Sequence, residues 1–148
     1  MKTLPPILLL WALAPAAHAL DAAQWQAVAP ALQAAIECRA RPDTSTTGWE
    51  ALPRDRFGGM APIKPPSPFS VFGLPVTEMS VSIDPEGVEG DSYTAKLAST
   101  TQAIKAAAKL DAEGRREAGI GTLELDDMRQ LTCVVPGGYS ESDFQPEN

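Results

Sequence analysis

Apolar residues recur at helical spacing in the segment DAAQWQAVAPALQAAIECRA, where Trp25, Val28, Leu32 and Ile36 follow one another at intervals of three and four residues. This spacing places all four on one face of a helix. Asp21 precedes the pattern as an N-cap, and Gln24 stands three residues on, as in a capping box. Pro30 lies inside the pattern and has no amide to give to Gln26, so a kink or brief break is expected there without ending the helix. Ala27, Ala31, Ala34 and Cys38 form a second ridge of small side chains, which would let the helix approach a sheet closely.

From Arg41 to Pro68 the periodicity disappears. Trp49, Leu52 and Phe57 are scattered among Pro53, Gly58 and Gly59. A stretch of this length is functional, disordered, or holds an element with no periodic signature. The aromatics argue against full disorder, and Trp49 and Phe57 are expected to cap the core from the loop.

Period two then takes over. In VTEMSVSID, Met79, Val81 and Ile83 alternate with Glu78, Ser80 and Ser82; in SYTAKLA, Tyr93, Ala95 and Leu97 alternate with Thr94 and Lys96. Both read as half-buried strands. The turn-rich DPEGVEGD between them makes an antiparallel hairpin with a long tip. Ser99-Thr100-Thr101-Gln102 matches a capping box ahead of a helix expected to end near Gly114, with Arg115 and Arg116 following it. GTLELDD and MRQLTCVV form a second hairpin turning at Asp126-Asp127, with Leu131, Cys133 and Val135 on one face.

These elements predict an α+β domain, an N-terminal helix and a second helix packed on an antiparallel sheet of about four strands. The single domain spans residues 20–135, including the Pro/Gly-rich loop 41–68. A flexible C-terminal tail, residues 136–148, carries Tyr139 and Phe144.

The stretch APIKPPSPFSVFG, residues 61–73, places four prolines just before an apolar run. Its Pro-x-x-Pro spacing suits an exposed polyproline ligand. The immediate succession of Phe69, Val71 and Phe72 instead favours an ordered lead-in along a sheet edge, because proline cannot donate to a ladder. The inward parity changes between Val71, Val76 and Met79, so a bulge or crossing is expected at Gly73.

The first residues change how the rest is read. MKTLPPILLLWALAPAAHAL has a short positive start, an apolar run and Ala17-His18-Ala19, the pattern of a signal peptide over residues 1–19 cleaved before Leu20. The apolar run is shorter than the roughly 20 residues that span a bilayer, so stable membrane insertion is not expected. The alanine- and proline-rich, asparagine-poor usage suits a GC-rich bacterium, and hence a periplasmic or secreted protein. Cleavage leaves 129 of 148 residues and takes the formal charge from −7 to −8 by removing Lys2. Such an acidic chain repels phosphate backbones, which disfavours nucleic acid as a partner.

Cleavage also removes His18, the only histidine. Ser-His-acid and Cys-His nucleophiles and His-ligated zinc then have no imidazole. A Ser-x-x-Lys pair is absent as well, so no catalytic residue and no cofactor is assigned. A carboxylate-pair hydrolase remains as the least favoured class. Cys38 and Cys133, an even pair in an exported chain, read as one disulfide in preference to free thiols or an intermolecular bridge. It would close a loop of about 95 residues, on the order of 4 to 5 kcal/mol in the chain-entropy account.

Two sets of residues are candidate partner contacts. Asp84, Glu86, Glu89 and Asp91 crowd the first hairpin tip without the alternate-residue oxygen spacing of a calcium loop, so no metal is assigned. They would present carboxylates to a basic partner. Val71 and Phe72 lie at the proposed sheet edge, where another chain could add a strand. The features together point to an exported, non-catalytic protein-binding module, in its most concrete form an inhibitor or immunity protein against a basic cell-envelope enzyme. A structural or assembly component of the envelope is the alternative.

Overall fold

The computed structural model describes residues 20–138; the signal-peptide reading of 1–19 and the tail residues Tyr139 and Phe144 lie outside the described residues. The order of elements is α1 (Ala22–Ile36), α2 (Thr47–Glu50), β1 (Ser70–Val71), β2 (Leu74–Ser82), β3 (Gly90–Leu97), α3 (Thr101–Ala108), β4 (Arg115–Glu117), β5 (Thr122–Leu125) and β6 (Gln130–Pro136). All strands join one antiparallel sheet in the order β1-β2-β3-β6-β5-β4. The class is α+β as expected, with six strands instead of four and a third, one-turn helix. The added strands, β1 and β4, have two and three residues, too short for alternation to be seen.

Helix α1 starts as its sequence requires. Asp21 accepts from the Gln24 amide at 2.8 Å, and the Gln24 side chain accepts from the Asp21 amide at 3.1 Å. The helix is continuous across Pro30. Trp25, Val28, Leu32 and Ile36 are buried. They face a sheet surface of Met79, Val81, Tyr93, Ala95, Leu97, Leu123, Leu131, Cys133 and Val135. The small-residue ridge does not face the sheet: Ala27 is exposed, Ala31 and Ala34 are half-buried. A side chain on Gly48 of α2 would meet Ala27 and Val28, so the small residues admit the short helix. Cys38 lies past the end of α1, with φ of 61°, and its sulfur bonds to Cys133 on β6.

The second helix begins one residue later than its capping box suggested, on Thr100, whose hydroxyl accepts from the Ala103 amide at 3.2 Å. It stops at Lys109, which is left-handed at φ 54°, well before Gly114. Residues 111–114 form a turn instead. There the Asp111 carboxylate accepts from the Arg115 amide, and Arg115–Glu117 pairs with β5 as an edge strand.

The proline-rich lead-in is ordered. Ile63 is buried and exchanges both backbone bonds with Met79 at 2.8 Å. The chain reverses at Phe72-Gly73, both with positive φ (48° and 74°), pairing β1 with the start of β2. The expected bulge is therefore not at Gly73 but between Val76 and Glu78, where the register shifts. That one extra residue moves the inward positions from Val76 to Met79. Arg116 of β4 places its guanidinium 5.8 Å from the centre of the Phe72 ring. The sheet is thus curled enough for its two edges to meet.

Residues 136–138, expected in the flexible tail, are tied in. Pro136 pairs with Gly90, and the Gly138 amide donates to the Gly87 carbonyl at 2.8 Å.

Candidate functional site

Two loops border an open cleft of about 1110 Å³. One is the 53–60 loop leading into the proline-rich segment; the other is the 83–89 loop joining β2 to β3. Tyr93, Val81 and Trp49 lie at its floor, and Arg41, Arg54, Asp55, Phe57, Asp84 and Asp91 line its sides.

Both loops are built around an aspartate that collects backbone amides. Asp84 accepts from the amides of Glu86, Val88 and Glu89 at 3.0, 2.5 and 2.7 Å. The Glu89 amide foremost, then that of Glu86, holds the Asp84 carboxyl below the ordinary aspartate range. Asp55 accepts from the amides of Phe57 and Gly59 at 2.8 and 3.0 Å. The Asp55 amide reaches the Gly59 carbonyl at 2.8 Å, and Arg54 bridges to Met60. This second loop is therefore closed by its own backbone.

Beside Tyr93, Asp91 is only 8% exposed. It accepts from Arg41 Nη1 at 3.1 Å, from the Tyr93 hydroxyl at 3.3 Å and from the Asp84 amide at 3.2 Å. Burial, followed by the neighbouring Asp91 charge, raises the Tyr93 phenol well above its ordinary value. Tyr93 therefore stays protonated and donates, which satisfies a carboxylate that burial would otherwise penalise.

The four acids of the hairpin tip thus divide by role. Asp84 and Asp91 fold inward and hold the loop and its base, while Glu86 and Glu89 are exposed. A surface of four outward carboxylates is reduced to two. Val71 is wholly buried, so its side chain offers a partner no surface. Phe72 is half-buried under Arg116, and its amide donates to Glu37 Oε1 at 2.8 Å. Ile63 and β1 cover the edge of β2, and β1 is itself a terminal strand of the sheet. The Cys38–Cys133 disulfide is present, as expected from the sequence.

Periodicity could not single out Phe57. Trp49 does cap the core, but Phe57 is 82% exposed and is the most exposed large apolar residue described. The Arg56 guanidinium sits 4.7 Å from its ring centre. The available signal was local: Asp55-Arg56-Phe57-Gly58-Gly59 is a turn sequence, and an aromatic at a turn tip has no core within reach.

The cleft holds three carboxylates, of Asp55, Asp84 and Asp91, and all three are engaged in hydrogen bonds within the chain. A glycosidase-type acid needs a raised pKa, and that of Asp84 is lowered. Among the described residues, no three Asp, Glu, Cys or His side chains gather into a metal-binding cluster, and no helix is long and apolar enough to cross a membrane. No protein-family model matches the chain, and no curated protein or solved structure is significantly similar to it.

Proposed function

We propose that this chain is an exported, non-catalytic protein-binding module acting in the periplasm or outside the cell, as an inhibitor or immunity protein of a cell-envelope enzyme. The observation that carries the reading is Phe57, an aromatic side chain 82% exposed at the tip of a loop closed by Asp55. A held aromatic loses little conformational freedom on binding, and such residues dominate interface energies when a partner desolvates them. Phe57 stands at the rim of the cleft, and Glu86 and Glu89 on the opposite loop add the negative charge that steers a basic enzyme. The envelope-assembly reading has less support, because at that edge Val71 is buried and the Phe72 amide is already bonded to Glu37.

The oxidised chain, used as bait on an envelope extract, should recover a stoichiometric enzyme whose activity falls as the chain is added. Phe57→Ala should weaken capture about 30-fold, the loss of a central aromatic anchor, and Glu86→Lys with Glu89→Lys should slow association. Equal capture and inhibition by all variants would remove this face from the reading.

A further inference from the structure

The carboxylates and the guanidinium groups of the cleft differ in what they have left to bind. Asp84 and Asp55 hold the amides of their own loops, and Asp91 holds Arg41, Tyr93 and an amide. Arg54 lines the same cleft and makes no side-chain hydrogen bond or ion pair among the described residues. Arg41 gives one nitrogen to Asp91, and its side chain remains 55% exposed. The cavity therefore presents the Arg54 guanidinium and the remaining donors of Arg41 beside carboxylates whose oxygens are engaged. Its volume of about 1110 Å³ exceeds that of a single side chain several times over, and Phe57 and Met60 supply apolar wall next to Arg54.

We propose that the cleft takes a glutamate or aspartate side chain carried on an extended segment of the partner protein, bound between the Arg41 and Arg54 guanidinium groups. The carboxylate replaces water on donors that form strong charge-assisted bonds, and the segment's neighbouring apolar residues lie against Phe57 and Met60. Glu86 and Glu89 steer the partner's basic surface, while the cleft reads one acidic side chain within it. This inference rests on the protein-binding reading and specifies what the site recognises.

The full chain with its disulfide formed, labelled with nitrogen-15, is titrated by NMR with three peptides: capped GLELG, capped GLQLG, and GLQLG with a free C-terminal carboxylate. Capped GLELG should shift the amides around Arg41, Asp84 and Tyr93 with a Kd of about 1 mM, and capped GLQLG should bind about tenfold more weakly. Arg54→Gln should remove that difference while leaving the spectrum of the rest of the chain in place. Equal binding of the two capped peptides, or no shift with any of them, overturns the proposal. Binding by the free-carboxylate GLQLG peptide as strong as that of capped GLELG overturns the choice of a side chain over a chain terminus. The peptides require no natural partner, so failure here leaves capture through Phe57 standing, and failed capture leaves the peptide result standing.

Discussion

Residues 41–68 and the hairpin loop 83–89 border the same cleft, and each contains an aspartate that gathers backbone amides. They differ in what the sequence makes visible. The hairpin loop displays a charge cluster, and half of that cluster turns inward to hold the structure. The longer segment displays no pattern, yet it contributes buried Trp49, buried Ile63 and exposed Phe57. Clustered charge is thus a poor guide to a contact surface when short side chains can reach nearby amides. Aspartate reaches its own loop backbone, while Glu86 and Glu89 here remain in solvent.

The strongest way to break this comparison is within the long segment itself. Trp49 and Phe57 are eight positions apart and stand at opposite extremes of exposure. Trp49→Ala should cost about 3 to 5 kcal/mol by opening a cavity under α1, read by denaturant unfolding of the oxidised chain. A cost below about 1 kcal/mol would mean that the segment does not anchor the core.

The hairpin loop should be next in sensitivity, through Gly90, the residue that follows it and opens β3. Gly90 has φ of 94°, and a Cβ there would lie 2.2 Å from the Val135 carbonyl oxygen. Gly90→Ala should cost about 2 to 3 kcal/mol, combining left-handed strain with a forced backbone shift. Gly73→Ala, at φ of 74° with open space around it, should cost only about 1 kcal/mol by strain alone. Equal costs at the two positions would show that contact with β6 does not matter.

A smaller effect follows from Asp84. Its folded-state pKa lies below the ordinary value near 3.8, so the stabilisation of its ionised form is complete above that value. It is lost as pH falls through the lower, folded-state pKa. The amides of Val88 and Glu89 should therefore move together only below about pH 3.8, and Asp84→Asn should abolish that movement. An unchanged titration in the variant would assign the loop's order to other groups.

The smallest expected effect on stability is that of Phe57→Ala, within about 0.5 kcal/mol, against its large expected effect on capture. A substantial loss of stability would identify the ring as part of the fold and weaken its reading as an anchor for a partner.

Amide bonds and side-chain alternation act over a few residues, and elements set by those forces were legible directly. The capped start of α1, its buried stripe and the alternating strands around Met79, Tyr93 and Cys133 all follow from local spacing. The pairing of the two cysteines follows from their even count. What required the tertiary structure is longer in range. Strands β1 and β4 exist because longer neighbours offer them edges, and the small ridge of α1 acquires its role only when Gly48 arrives against it. The inward turn of Asp91 depends on Arg41, fifty positions away, and the exposure of Phe57 depends on a loop too tight to reach the core. Local sequence sets which backbone forms; only the assembled chain decides which polar groups are already satisfied, and so which remain free to bind.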